Sequence, residues 1–345
     1  MDRVNVAVVG LGMGRHHLYC YKNCPQANVV AICDVDEARL QAVGDEYGIK
    51  ARFTQYEELF ALPDLHAVSV ALPNFLHAPV TIAALKAGLH VMCEKPLAMT
   101  AQEGEAMVAA AKAANRQLMM HFNTRWHPSS QAARQMVEEG LLGEVYFGRT
   151  GWLRSRGIPG LGGWFTTKAK SGGGPMIDLG VHRLDLALWL MGYPKPVAVS
   201  GAAYSELGKE LAARQGKSFD VEDLAAGFIR FENGASLILE ASWAGNTHKR
   251  EEGFTILMGT RGGLHLDNGD GEGYDFRARA YREMGGSLVE ITLKVPPAAT
   301  TAQAAFVQAL LDGKPNPAPG EQGLQVQRVL DALYRSAAEG REVAV

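Results

Sequence analysis

Cysteine is scarce: four in 345 residues, Cys20, Cys24, Cys33 and Cys93. Cys20 and Cys24 share a helical spacing, but no complementary Cys or His pair stands at a matching distance, which argues against a zinc site. Nor is there a disulfide framework; reduced, buried thiols in a cytoplasmic protein are the expectation. Basic runs are missing too. Lysine and arginine total 34 against 37 aspartates and glutamates, for a formal charge of −3. Basic clusters go no further than pairs such as Lys249-Arg250, which argues against nucleic acid as the main partner. No stretch is long and apolar enough for a transmembrane helix. Met1-Asp2-Arg3 leads straight into an apolar strand, without the pattern of a signal peptide. No internal repeat is visible.

What remains is ordinary globular composition, 47% apolar and 21% charged. The length exceeds one typical core, so two domains are expected. Residues 4–9 read as a short apolar strand ending at Gly10, followed by a helix over 13–23. A second strand, 29–33, ends at Asp34, and a helix runs from 36 to 48. Strands at 67–71, 90–93 and 117–122 alternate with helices over 78–87 and 101–115, with Gly88 at a helix C-cap position. This alternation predicts a Rossmann-type, doubly wound parallel α/β sheet over residues 1–122.

The pattern changes at residue 123. A helix over 129–139 stops at Gly140. Strand-like runs follow at 144–153, 197–204, 224–231, 235–243, 254–258 and 288–295. Glu232-Asn233-Gly234 signals a hairpin, because Asn-Gly supplies the positive φ angles of a type I′ turn. A last amphipathic helix is expected over 321–339. Residues 123–345 thus read as an α+β domain on a large, mostly antiparallel open sheet. Asp267-Asn268-Gly269-Asp270-Gly271-Glu272 does not continue as a calcium loop and reads as a polar hairpin tip.

Three segments carry chemistry. Gly10-Leu11-Gly12-Met13-Gly14 follows a strand and opens a helix, where glycines admit a pyrophosphate to the helix N-terminus. The usual third glycine falls at Arg15, which either approaches a phosphate or points to solvent. Asp34 stands where a carboxylate binds an adenosine ribose, favouring NAD; nearby Arg39 keeps NADP as the alternative. Leu72-Pro73-Asn74, His77 and Glu94-Lys95-Pro96 lie at the carboxyl ends of predicted strands, where such sheets bind ligands. Lastly, Ser171-Gly172-Gly173-Gly174-Pro175 leads into a helix bearing Asp178 and His182. At i and i+4 these two share a face and suit proton transfer.

Val70-Ala71-Leu72-Pro73-Asn74 with His77, Glu94-Lys95-Pro96, and the triglycine followed by Asp178-Leu179-Gly180-Val181-His182 resemble the Gfo/Idh/MocA oxidoreductases. These include inositol dehydrogenases and glucose–fructose oxidoreductase. The resemblance runs over nearly the whole chain and departs from the family at the glycine fingerprint. It implies Lys95 as catalytic lysine, Asp178 as substrate-positioning aspartate and His182 as general acid/base. It implies a cofactor site of Gly10, Gly12, Met13, Gly14, Arg15, Asp34, Leu72, Pro73, Asn74, His77, Glu94, Lys95 and Asn123, with Asn123 at the nicotinamide. Arg125 is expected at the substrate, with a structural salt bridge as its alternative. Arg154 and Trp164, in a loop with Trp152, Arg156 and Phe165, are expected to meet a sugar, although packing explains the aromatics equally well. No metal is expected at His121, His127 and His182, whose spacing is not that of a zinc site.

The implied activity is NAD-dependent hydride transfer at a secondary hydroxyl of a sugar, inositol or related polyol. One rival is a glycoside hydrolase using tightly held NAD in a cycle of oxidation, elimination and reduction. Another is a non-catalytic NAD-binding regulator, against which the intact Lys95, Asp178 and His182 argue. A homodimer or homotetramer through the C-terminal sheet is expected.

Overall fold

The computed structural model describes residues 2–269, 271, 276–295 and 300–345. Asp270 and Glu272 of the expected hairpin tip lie outside the described residues. The chain begins with β1 (Val4–Val9), α1 (Gly14–Lys22), β2 (Ala27–Cys33), α2 (Glu37–Tyr47), β3 (Ala51–Phe53), α3 (Tyr56–Phe60) and β4 (Ala67–Val70). It continues with α4 (His77–Lys86), β5 (His90–Glu94), α5 (Ala101–Ala114) and β6 (Leu118–His121). Next come α6 (Pro128–Glu138), β7 (Val145–Arg154), α7 (Lys168–Ser171) and one π-helical turn, Met176–Gly180, that runs into α8 (Val181–Leu190). Then follow β8 (Pro196–Tyr204), α9 (Glu206–Arg214), β9 (Leu224–Phe231), β10 (Ser236–Ser242), β11 (Glu251–Gly259), β12 (Gly263–Asp267), β13 (Arg277–Met284) and β14 (Ser287–Thr292). The chain ends with α10 (Ala302–Asp312), α11 (Gly320–Glu339) and β15 (Val343–Ala344).

The first six strands form one parallel sheet in the order β3-β2-β1-β4-β5-β6. Strand order reverses between β1 and β4, and ligands bind such sheets at that switch point, beyond the strands' carboxyl ends. Strands β4 and β6 are buried throughout, as a sheet covered on both faces requires. Local chemistry sets the helix ends. Asp36 accepts the Arg39 N–H at 3.0 Å to start α2, and Gly48 ends it at φ +67. Thr100 accepts the Glu103 N–H at 3.2 Å to start α5, and Glu103 reaches back to the Met99 N–H at 3.0 Å.

The other nine strands form a sheet in the order β14-β13-β12-β11-β7-β10-β9-β8-β15. Its pairings are antiparallel except β7 with β10, which is parallel. The Asn233-Gly234 turn joins β9 to β10, with Gly234 at φ +85. One face is dry: Leu237, Leu239, Leu257, Leu264, Leu266 and Ala280 are buried, and several of them cluster with Leu186 and Leu190 of α8 and Ala132 and Ala133 of α6. The opposite face carries Phe147, Phe228, Ile238 and Ile256, all partly exposed.

The chain forms two compact units, residues 1–122 with 300–327, and residues 123–299 with 328–345. A single boundary at 122/123 therefore needs correction. Residues 300–327 pack on the first unit, because the Met120 N–H bonds the Ala318 carbonyl at 2.8 Å and Met119 bridges to Pro319. Gly320 and Gly323 approach Leu118 and Met120 so closely that a Cβ at either would come within 2.7 Å of a side-chain carbon. Helices α9 and α10 were not expected from the sequence pattern.

Two histidines in the first unit make its stability depend on pH. The His90 Nδ1 accepts the Gln117 N–H at 3.0 Å, and burial with nearby Arg116 pushes its pKa from 6.5 down to about 4. His17 is wholly buried and is likewise pushed to about 4, chiefly by desolvation. Both rings are neutral when folded, so the unfolded chain binds more protons between those values and stability falls with pH. For His17 the full span is worth roughly 3 kcal/mol. Thermal midpoints measured from pH 6.5 down to 4 should drop, and His90→Asn should flatten part of the slope.

Candidate active site

In the first unit the glycine loop is shaped by close approach. Gly10 has φ +88, and a Cβ there would lie 2.3 Å from the Ala71 carbonyl oxygen, so no other residue fits. A Cβ on Gly14 would lie 2.8 Å from the Val8 side chain. Gly12 differs: among the described residues nothing lies within 4 Å of a Cβ built there. Met13 beside it is exposed and no side-chain hydrogen bond from it caps α1. The helix's first N–H groups are therefore available to an anion, and the open space over Gly12 fits the pyrophosphate of a dinucleotide. Arg15 points outward, half exposed, and pairs with Glu46 at 2.5 Å.

Asp34 holds this loop. Its Oδ2 accepts the Leu11 N–H at 2.7 Å and its Oδ1 accepts the Asp36 N–H at 2.9 Å. Arg39 divides its guanidinium between Asp34 and Asp36, at 3.2 Å from each. Leu72, Pro73 and Asn74 follow β4 at its carboxyl end, and Asn74 is buried at the start of a 3₁₀ turn. His77 is wholly buried, with Nε2 2.8 Å from the Leu72 carbonyl and Nδ1 2.7 Å from the Pro96 carbonyl. The His77 ring thus lies between two backbone segments and donates its single N–H to one of the two carbonyls.

Glu94 ends β5 and is buried. One carboxylate oxygen lies 3.0 Å from His17 Nε2 and 2.9 Å from His121 Nδ1, and the other accepts the Lys95 N–H at 3.1 Å. It too sits beneath the surface as a holder of backbone. These ion-pair and hydrogen-bond partners keep its carboxyl well below the ordinary range despite the opposing effect of burial.

In the second unit Asp178 lies in the π-helical turn and His182 in the first turn of α8. Single π turns are frequent at functional sites. The triglycine explains how the chain enters this turn. Gly172 takes φ +84 to end α7; a Cβ on Gly173 would strike the Tyr334 hydroxyl at 2.1 Å, and one on Gly174 the Glu222 carbonyl at 2.1 Å. Glu222 accepts the Gly174 N–H at 2.8 Å, the Met176 N–H at 3.1 Å and the Tyr334 O–H at 2.7 Å. A buried carboxylate from a distant loop thus satisfies the helix start. Burial raises its pKa, and those three donors counter the rise. Trp243 Nε1 donates to Asp178 Oδ2 at 3.0 Å, which fixes the carboxylate. His182 is buried, with Trp152 at a ring-centroid distance of 6.1 Å.

Arg125 makes the salt bridge that was its alternative reading. It is buried and forks onto Asp185 of α8 at 2.9 and 2.6 Å, with the Tyr193 hydroxyl at 2.5 Å. Arg154 pairs with Glu251 at 2.8 Å, and Glu251 also accepts from Trp152 Nε1 at 2.5 Å. Trp164 stacks on Phe165 at 3.8 Å and keeps part of its surface exposed. Asn123 leaves its side-chain oxygen buried without a hydrogen-bond partner among the described residues, an acceptor that a ligand amide would satisfy. Glu222, Tyr334, Trp243 and Glu251 escaped the sequence reading. The triglycine announces a close approach, yet nothing local names the partner.

Comparison with known proteins agrees with these observations. The family described as "Oxidoreductase family, NAD-binding Rossmann fold" matches residues 4–122, and the GFO/IDH/MocA C-terminal domain matches residues 130–265. The D-glucoside 3-dehydrogenase of Escherichia coli (strain K12) is 32% identical, covering 99% of this chain and 97% of its own. The levoglucosan dehydrogenase of Pseudarthrobacter phenanthrenivorans is 31% identical over 76% of this chain and 73% of its own. Among solved structures, levoglucosan dehydrogenase in complex with NADH and levoglucosan superposes with a TM-score of 0.86 at 26% identity, covering 99% of each chain. The aldose-aldose oxidoreductase from Caulobacter crescentus complexed with glycerol gives 0.84 at 29% identity, covering 99% of this chain and 100% of that one.

The helix start yields a prediction. Gly174→Ala should cost about 1–3 kcal/mol by overpacking, read by urea unfolding, because its Cβ meets rigid backbone. Unchanged stability would mean that Glu222 yields freely.

Proposed function

Because this chain belongs to the Gfo/Idh/MocA oxidoreductases, a family of NAD-binding enzymes, we propose that it oxidises a ring hydroxyl of a pyranose sugar or glycoside in the cytoplasm. The observation that carries the reading is the start of the helix in the second unit. There Asp178 is tethered by Trp243, His182 follows in a dry setting, and Glu222 anchors the turn that bears them. The relatives named for D-glucosides and levoglucosan support the pyranose class.

Oxidising a secondary alcohol removes a hydride from carbon and a proton from oxygen. NAD, when bound, supplies the hydride acceptor. In this reading His182 takes the hydroxyl proton on its imidazole. Lys95 donates a hydrogen bond to the same oxygen and stabilises its alkoxide character. Asp178 accepts from a neighbouring hydroxyl and so selects the ring orientation. Gly10, Gly12 and Gly14 with the N-terminus of α1 would hold the pyrophosphate, and the Asn123 side-chain oxygen would accept from the nicotinamide amide. Asp34 favours NAD over NADP, since Arg39 is already shared between two carboxylates.

The outward face of the nine-stranded sheet supports self-association. Phe147, Phe228, Ile238 and Ile256 share that face, with Arg149 between Ile238 and Ile256 and paired with Glu240 at 3.1 Å. A face of this kind suits a second copy of the chain.

A screen of glucosides, levoglucosan, free sugars and inositols against NAD and NADP tests the activity. NADH should appear in step with a keto-sugar, faster with NAD. Glycoside cleavage without net NADH would replace the dehydrogenase with the hydrolase. His182→Asn should lower kcat about 10²–10⁴-fold while NADH still quenches protein fluorescence; full activity would remove His182 from the mechanism. Ile238→Arg should shift the sedimentation coefficient toward the monomer, and an unchanged value would move the interface elsewhere.

A further inference from the structure

We infer that Glu94 is a positioning residue that, through His17, couples the dinucleotide-binding helix to the backbone of Lys95. This rests on the reading of Lys95 given above. Glu94 is the last residue of β5 and stands in parallel register opposite His121, the last residue of β6. His17 comes from the first turn of α1, the helix entered from the glycine loop. Gln303, from α10, closes the far side, with its amide nitrogen 3.1 Å from His121 Nε2. One carboxylate therefore joins a helix, two strand ends and the amide of Lys95.

The contacts assign the tautomers. A carboxylate only accepts, so His17 carries its proton on Nε2 and His121 on Nδ1. The bare His121 Nε2 then accepts from Gln303. The bare His17 Nδ1 is buried with no hydrogen-bond partner among the described residues. His17 is held neutral by burial and the Glu94 carboxyl is held ionised, so the cluster is a hydrogen-bonded set around one anion. His17 Nε2 and His121 Nδ1 converge on a single Glu94 oxygen, so the carboxylate already takes both donors without an ion between them. The histidines fill one oxygen, which turns the other toward the Lys95 N–H. On the opposite side His77 Nδ1 lies 2.7 Å from the Pro96 carbonyl, so the lysine's backbone has a buried side chain against it before and after.

A shift of the α1 start moves His17, and with it the carboxylate that orients Lys95. Filling the glycine loop and ordering the lysine thus become linked events. The arrangement predicts a loss in the chemical step rather than in sugar affinity when the link is cut.

The experiment compares Glu94→Gln, His17→Leu and His17→Gln. Glu94→Gln should lower kcat per folded molecule up to about 100-fold, the scale of a misplaced catalytic group, with KM for the sugar within about twofold. His17→Leu should do the same, and His17→Gln, which still donates, should recover most of the loss. Amide hydrogen exchange needs no turnover: NADH should protect the Lys95 amide in the wild type and not in His17→Leu. Exchange still reports the coupling if no sugar is oxidised, so failure of the proposed activity and failure of the link are separable. A folded His17→Leu protein with NADH-dependent protection and kcat intact overturns the inference. So does stoichiometric zinc retained on the purified protein at His17, Glu94 and His121.

Discussion

A carboxylate taken out of water costs several kcal/mol unless donors surround it, and this requirement organises the candidate site residues within each unit. Four buried carboxylates stand beside segments that bear function: Asp34, Glu94, Asp185 and Glu222. Each has recruited donors from backbone or from a buried side chain. Asp34 takes the Leu11 amide and so shapes the glycine loop. Glu94 takes the Lys95 amide. Asp185 takes the fork of Arg125 and ties the turn after β6 to α8. Glu222 takes two amides at the entry to the π turn. In every case the acid is a holder: of the glycine loop, of the Lys95 backbone, of the turn before α6, and of the π turn.

Such holders are hard to read from sequence because their partners are remote. The Rossmann sheet was legible, since β–α alternation, Gly10 and Asp34 are local signals. So was the β9–β10 hairpin, from Asn233-Gly234. Residues 300–327 gave no sign that they belong with residues 1–122, because the Ala318–Met120 bond spans nearly two hundred positions. Glu222 and Tyr334 lie far from the triglycine they buttress. Arg125 shows the same limit in reverse: an arginine in a motif looks like a ligand contact until Asp185 and Tyr193 are seen to surround it. The i, i+4 spacing of Asp178 and His182 was read on an α-helical template, while the structure opens that stretch with a wider π turn.

Glycine also works here by two separate means. At Gly10 the positive φ and the nearby Ala71 carbonyl both demand it. At Gly173 and Gly174 the backbone angles are ordinary, and the demand comes from neighbours that occupy the space of a side chain. A turn signal and a packing signal thus look alike in the sequence and differ in what a substitution would disturb.

The nine-stranded sheet has one margin of just two residues, Val343 and Ala344, laid against β8. A foreign strand arriving on β15 finds only two residues of ladder to extend, which blunts strand addition over that stretch. Contact through the broad outward face is different in kind, for a twofold pairing consumes the surface that makes it. The short terminal strand thereby leaves that stretch of the margin little backbone to offer another chain.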